Sequence, residues 1–133
     1  MDGDLMWLVQ HGFYPIVGEV DGKTVVVWRL SFPWHVRRRD QSPLTPCRLI
    51  ICGLECHYGD GGWMARFMRA TSKLYKVDNQ PDPLCALRTL WRRMADNLSA
   101  MRQDTRRYVG MMHALDAFED WFAVEGIRLQ GVE

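Results

Sequence analysis

The soft metal ligands of this sequence are concentrated in one short segment that holds Cys47, Cys52, Cys56 and His57. Four such ligands can hold zinc in a tetrahedron, and a cysteine that has a histidine and an acid nearby can act as a nucleophile. Zinc ligands usually pair across a turn, whereas Cys52 and Cys56 lie on the same face of a predicted strand, roughly 13 Å apart. Cys56 and His57 are adjacent on that strand and so face opposite ways. The pattern favours buried thiols, and a cysteine- or zinc-dependent enzyme is the least favoured of three functional hypotheses.

Two other groups of residues have types that could support chemistry. His113 and Asp116 lie three apart on a predicted helix and share a face, but two ligands do not make a metal or acid-base site. The glycine-rich run from Gly59 to Gly62 lacks the lysine and the following helix of a phosphate-binding loop, so it is interpreted as a turn. The sequence therefore predicts a protein that is not an enzyme and has no catalytic residue, metal or cofactor.

The most informative feature is the distribution of charge along the chain. Residues 37 to 107 hold 14 Lys and Arg against 7 Asp and Glu, a balance of +7, whereas the rest holds 3 and 9, a balance of −6. The net charge is therefore only +1. A nearly neutral chain has no overall field that would select a polyanionic or polycationic partner. Any partner must be recognised locally, and acidic residues such as Asp116, Glu119 and Asp120 could face the basic region within the fold or bind a basic partner.

An arginine-rich surface is the predicted binding site. On one long helix, four arginines would lie within about 80° of one another around the axis. The segment Arg37-Arg38-Arg39 follows Trp34 in a proline-bounded loop, where aromatic and arginine side chains are typical of interfaces. The alternative is a solvated helix face opposite the core. The predicted partner-binding residues are Trp34, Arg37, Arg38 and Arg39 of the loop and Arg88, Arg92, Arg102 and Arg106 of the helix.

Strands are predicted in the first half of the chain. Asp21-Gly22 separates two β-forming runs and suits a two-residue type I′ turn, so a hairpin over residues 14 to 30 is the firmest local prediction. Residues 5 to 10 fit either a helix or a strand. Residues 32 to 46 carry three prolines and are predicted to be a long exposed connection, which would also expose Trp34. A buried strand over residues 48 to 57 follows, and residues 63 to 77 favour a returning strand over a helix, with Trp63 also expected to be exposed.

The second half is predicted to be helical. Asp82 is a suitable N-cap, followed by Pro83 at the first helical position. Apolar residues then recur at alternating spacings of three and four from Leu84 to Leu115, which is typical of one long helix on a sheet or against another helix. Gly110 is the plausible point at which this helix divides in two. The same seam would also permit a homodimer.

Strands followed by helices predict an α+β fold with a small antiparallel sheet packed against two C-terminal helices. The hydrophobic residues make up 47% of the chain and the charged residues 25%. These proportions are typical of one globular domain, expected over residues 1–133, strand-rich over 1–77 and helical over 82–126. The apolar runs are too short to span a bilayer and the first residues are acidic, so a cytoplasmic protein is expected.

A tryptophan on a predicted strand, followed by a polar stretch and a helix that opens with residues 82–88 (DPLCALR), resembles small accessory proteins of tailed phages. This resemblance covers about a quarter of the chain, and it implies an accessory or inhibitory role. The leading hypothesis is a small binding protein of this kind that acts on a protein or nucleoprotein partner through the predicted arginine surface. The alternative is direct binding of DNA or RNA by the same arginines.

Overall fold

The structure is a computed structural model that describes residues 2–36, 48–69 and 72–129, without the side chains of 32–36, 48–52, 69 and 72–74. Along the chain it contains α1 (Asp2–Gln10), β1 (Tyr14–Val20), β2 (Lys23–Val36), β3 (Arg48–Gly59), β4 (Gly62–Arg69), β5 (Ser72–Gln80), α2 (Pro83–Ala100) and α3 (Arg106–Val124). The strands form one antiparallel sheet in sequence order, β1-β2-β3-β4-β5. The predicted α+β class, with a sheet followed by two helices, is confirmed.

Two tight Asp-Gly turns organise the sheet. Asp21 and Gly22 have φ angles of 52° and 80°, and Asp60 and Gly61 have the same pair of values. Positive φ at both central residues is the type I′ geometry whose twist suits a hairpin. The predicted hairpin and the glycine turn are both confirmed. Residues 63–69 and 72–77 are extended as expected, but they belong to two strands, β4 and β5, and residues 5 to 10 form part of a helix.

Strand β2 is longer than the sequence indicates. It continues to Val36, and Pro33 and Trp34 lie opposite Ile51 and Ile50 of β3. The prediction of an irregular connection from residue 32 is therefore wrong over residues 32 to 36. The apolar run at 49–51 supplies a partner strand, and this tertiary pairing outweighs the local signal of the proline. The remainder of the predicted connection, residues 37–46, lies outside the described residues.

The single long helix predicted from Leu84 to Leu115 is also divided, and not at Gly110. Helix α2 ends at Ala100, and α3 begins after Thr105, whose side-chain oxygen accepts a hydrogen bond from the Tyr108 N–H at 3.2 Å. Threonine is favoured as an N-cap, which explains the start of α3 there. The apolar spacing continues across the break because both helices bury their apolar faces against the same sheet.

The core lies between the sheet and the helices. Leu87, Leu90 and Met94 of α2 and Phe118 and Phe122 of α3 are completely buried there. The inner stripe predicted for the last helix, Met111, Leu115, Phe118 and Phe122, is thus confirmed as buried. The apolar seam is occupied by the chain's own sheet.

Trp63, predicted to be exposed, belongs to this core instead. It lies on β4 immediately after the tight turn, and only 1% of its surface is exposed. Its indole N–H donates to a carboxylate oxygen of Asp4 in α1 at 3.1 Å. Trp63 is buried because α1, whose conformation the sequence left open, covers it and supplies the hydrogen-bond partner that a buried indole needs.

The sheet is strongly curled, and for this reason the face that points away from the helices also contains buried side chains. Arg66 of β4 donates from Nη1 to the Glu19 carbonyl of β1 at 3.3 Å, and Lys76 of β5 lies 3.6 Å from the Asp21 carboxylate. In a flat sheet, β1 and β4 would be roughly 14 Å apart, beyond the reach of one side chain. The curl encloses Val27 and Met64, which are buried although neither belongs to the helix-covered core.

A substitution at Gly62 would test the close packing of β4 against β5. A Cβ atom at this position would lie 2.8 Å from the Asn79 Cα, a backbone atom that cannot move aside by rotation. Gly62→Ala is therefore expected to destabilise the protein by about 1–3 kcal/mol in chemical denaturation. Gly110→Ala is the control, because nothing lies within 4 Å of its Cβ position and α3 continues through it. That change should stabilise by about 0.5–1 kcal/mol, and equal effects of the two changes would contradict the β4–β5 geometry.

Candidate functional site

The predicted arginine site is brought together only in part. Arg88 and Arg92 lie on α2, Arg102 lies in the α2–α3 connection, and Arg106 is the first residue of α3. The prediction that these four share one helix face is wrong, because the helix on which it depended is two helices. Trp34 lies in β2, but its side chain is outside the described part of the chain, as are Arg37, Arg38 and Arg39. The structure therefore gives no geometry for that half of the predicted site.

The start of α2 fixes the position of Arg88. The Asp82 side chain accepts from the Cys85 backbone N–H at 2.7 Å, which confirms the predicted N-cap, with Pro83 as the first helical residue. Arg88, half-buried, then donates from Nε to the Arg128 carbonyl at 2.7 Å. This contact holds the chain after α3 against α2. It also leaves the two terminal nitrogens of Arg88 without an acceptor among the described residues.

Arg88 is one of several arginines that form no ion pair with a described residue. Within residues 2–36, 48–69 and 72–129, no carboxylate lies within 4.0 Å of the side chains of Arg88, Arg92, Arg106, Arg107 and Arg128. Arg102 pairs at 3.4 Å with Asp104, but both side chains are largely exposed. Helices α2 and α3 form a helical hairpin. We call the arginines that lie on or beside it the hairpin arginines: Arg88, Arg92, Arg102, Arg106, Arg107 and Arg128. Their charge is mostly uncompensated within the described fold.

The acidic residues of α3 do not neutralise the hairpin arginines. Glu119 accepts from the Trp91 indole N–H at 3.0 Å, which joins α2 to α3. Asp116 and Asp120 are exposed and make no ion pair with a described residue. No group of three or more metal-ligating side chains occurs among the described residues, and His113 and Asp116 have no third ligand there.

A shallow depression lies beside the first turns of α2. Its volume is about 300 Å³, and its lining residues are Pro81, Asp82, Leu84, Cys85, Arg88, Thr89 and Arg92. Arg88 and Arg92 stand one helical turn apart at this depression, so that both guanidinium groups can reach one ligand. The sequence pattern predicts these two arginines as binding residues but does not predict the depression, because its lining includes Pro81 and Asp82 from the chain before α2.

The cysteines differ sharply in their surroundings. Cys56 is buried in the core, and its burial, together with the charge of Glu55, raises the pKa of its thiol far above the usual range. A thiol that is held protonated is a poor nucleophile and metal ligand. His57 faces away from Cys56, as predicted, and its Nδ1 lies 3.3 Å from the Val26 carbonyl oxygen. Cys47 and the Cys52 side chain lie outside the described residues, and Cys85 is half-buried.

Thiol labelling should separate these cysteines. We expect the Cys85 thiol to react with a neutral alkylating reagent in the native protein, because it lines the depression. Cys56 should react only after denaturant unfolds the core, because it is buried and protonated. Peptide mapping by mass spectrometry assigns each modified cysteine, and Cys85→Ser is the control for the native signal. Native modification of Cys56 at the rate of Cys85 would contradict the packing of β3.

A buried ion cluster on the curled face was not anticipated from the sequence. Glu55 of β3 is 3% exposed, and its Oε1 accepts from Arg66 of β4 at 2.5 Å. Its Oε2 lies 3.5 Å from Nη1 of Arg29 on β2. Gly53 lies beside this cluster, and the Arg29 guanidinium passes over the Gly53 backbone. A Cβ atom added at Gly53 would lie 3.4 Å from the Arg29 Nε. The alternation of Gly53, Glu55 and His57 opposite an apolar face is the signal that could have identified it.

Comparison with known protein families, curated proteins and solved structures finds no match to this chain. Within the described residues, none of the helices is long and apolar enough to cross a bilayer. The function is therefore inferred from the geometry of the site alone.

Proposed function

We propose that this chain is a small non-enzymatic binding protein that docks on an anionic surface of a protein or nucleoprotein partner through the hairpin arginines. The observation that carries this proposal is the absence of an acidic partner for Arg88, Arg92, Arg106, Arg107 and Arg128 within the described fold. Arginine is suited to such contacts because its planar guanidinium binds carboxylates and phosphates through two parallel hydrogen bonds.

The effect on the partner follows from this mode of binding. A chain without an assembled catalytic group in its described part changes a partner by covering a surface or holding it in one arrangement. We therefore propose the role of an inhibitor or accessory factor. The rigid attachment of the hairpin arginines to the fold supports this role. Completely buried residues such as Leu87 and Phe118 anchor α2 and α3 to the sheet.

Site-specific photo-crosslinking in the cells that make the protein tests the proposal. A benzoylphenylalanine at Ser99 would lie on the same side of α2 as Arg92, since seven residues complete nearly two turns. Lys23, exposed at the β1–β2 turn, is the matched control position for the crosslinker. We expect a discrete protein adduct from position 99 and none from position 23. The adduct from position 99 should disappear in Arg92→Glu/Arg106→Glu and persist in Lys23→Glu.

A parallel titration separates the nucleic-acid alternative. Fluorescence anisotropy with labelled duplex DNA, single-stranded DNA and RNA should show weak binding at physiological salt. Tight binding that falls steeply with salt, with the slope reduced by about two in Arg92→Glu/Arg106→Glu, would instead make the hairpin arginines a nucleic-acid surface. The absence of both a protein adduct and nucleic-acid binding would leave these arginines as solvated surface and overturn the proposal.

A further inference from the structure

The depression beside α2 combines two arginines and one aspartate with an apolar wall. Arg88 and Arg92 lie on one side, and Leu84 and Pro81 contribute carbon surface to the same space of about 300 Å³. A volume of this size is at the lower end for ligand pockets. It can take one or two side chains, whereas the backbone of a nucleic-acid duplex lies across a surface without entering it.

The two arginines in this depression form no ion pair with a described carboxylate. Like charges four residues apart on a helix repel one another, and Arg92 has no described hydrogen-bond or ion-pair partner. Asp82 also lines the depression and its Oδ1 accepts the Cys85 N–H as the helix cap, so that two positive charges and one negative charge leave the lining with a net charge of +1. The Nε contact of Arg88 with Arg128 fixes the direction of the side chain and leaves its terminal donors available. The depression is thus lined by two arginines whose terminal donors have no acceptor among the described residues.

We infer that this depression receives an acidic side chain of a partner protein, with a neighbouring apolar side chain placed against Leu84 and Pro81. The inference rests on the proposed function and specifies which feature of the partner is recognised. The carboxylate accepts from Arg88 and Arg92, and the apolar neighbour packs on the carbon surface of Leu84 and Pro81.

Nuclear magnetic resonance on the ¹⁵N-labelled full chain tests this inference. The probe is the blocked dipeptide N-acetyl-Glu-Leu-amide, and the matched probe is N-acetyl-Gln-Leu-amide, which has the same shape without the charge. We expect saturable shifts at the amides of Cys85, Thr89 and Arg92 with the acidic probe and much weaker ones with the neutral probe. Arg92→Gln should reduce the affinity by about tenfold, because it removes a charged donor. Lys23→Gln, which removes an exposed positive charge at the β1–β2 turn outside the depression and outside the hairpin arginines, should leave the affinity unchanged.

Three results would overturn the inference. These are equal binding of the two dipeptides, an equal loss of affinity in Arg92→Gln and Lys23→Gln, or shifts with inorganic phosphate that match those with the acidic dipeptide, since the leucine would then contribute nothing. The spectrum of each variant shows directly whether it is folded. A failure of the inference about the depression can be distinguished from a failure of the proposed function. If the protein adduct from position 99 forms while the dipeptide leaves the depression unperturbed, the binding role stands and the depression is not its recognition site.

Discussion

Glu55→Ala is expected to destabilise the protein by about 3–5 kcal/mol, because it leaves two mostly buried arginines without their carboxylate. Only 3% of Glu55 is exposed, and its two oxygens face Arg66 and Arg29 on the neighbouring strands. Arg66 also holds the Glu19 carbonyl, so the loss should reach the contact that closes the curl of the sheet. Chemical denaturation followed by circular dichroism measures the change.

The matched control is an ion pair at the surface. Asp104→Ala removes the partner of Arg102, and both of these side chains are mostly exposed to solvent. The expected loss of stability is therefore only about 0.5 kcal/mol or less. A third variant tests the cause. Replacing Arg29, Glu55 and Arg66 together by apolar residues of similar size should cost much less than Glu55→Ala, because no buried charge is left unpaired. If the triple variant is as unstable as the single one, the penalty does not arise from unpaired charge.

The local turns and caps of this fold could be predicted because a few residues determine them. Asp21-Gly22 adopts the positive φ angles that a two-residue hairpin needs, and Asp82 with Pro83 begins α2 as their chemistry predicts. These signals are contained within four or five residues. They do not depend on the remainder of the chain.

The misjudged elements depend on distant partners. Residues 32 to 36 are a strand because β3 lies beside them, and Trp63 is buried because α1 covers it and Asp4 accepts its N–H. The helix break before Thr105 has a local signal, the threonine N-cap. That signal is hard to recognise because the apolar spacing continues through the break. Both helices face one core, so the spacing that predicted a single helix is equally satisfied by a helical hairpin.

The candidate site, too, could be predicted only in part, because local sequence shows which residues are arginines and the fold decides which of them lie together. Composition identified the arginines, since 14 of the 17 basic residues of the chain are arginine and most lie between residues 37 and 107. It did not show which of them cooperate. Arg88 and Arg92 share a depression only because the chain turns into α2 at Pro81 and Asp82, whereas Arg102 and Arg106 were separated from them by the helix break.

Phe118→Ala is expected to cost about 3–5 kcal/mol of unfolding free energy, because it opens a cavity at the centre of the core. Phe118 is completely buried on α3, and its ring stacks on Phe67 of β4 at 6.0 Å and on Phe122 at 5.0 Å between ring centroids. The side chain therefore attaches the helical hairpin, and the arginines on it, to the sheet. A loss of this size is a large part of the stability of an ordinary domain.

Val124→Ala is the matched control for Phe118→Ala. It also shortens an apolar side chain of α3, but at a position that is 81% exposed. Its effect should therefore stay within about 0.5 kcal/mol. Phe118→Leu leaves a smaller cavity and should fall between the two. This order, measured by denaturation at one pH and salt concentration, follows from α3 packing on the sheet through Phe118. If Phe118→Ala and Val124→Ala cost the same, α3 is not held by that contact, and the hairpin arginines are not presented on a rigid scaffold.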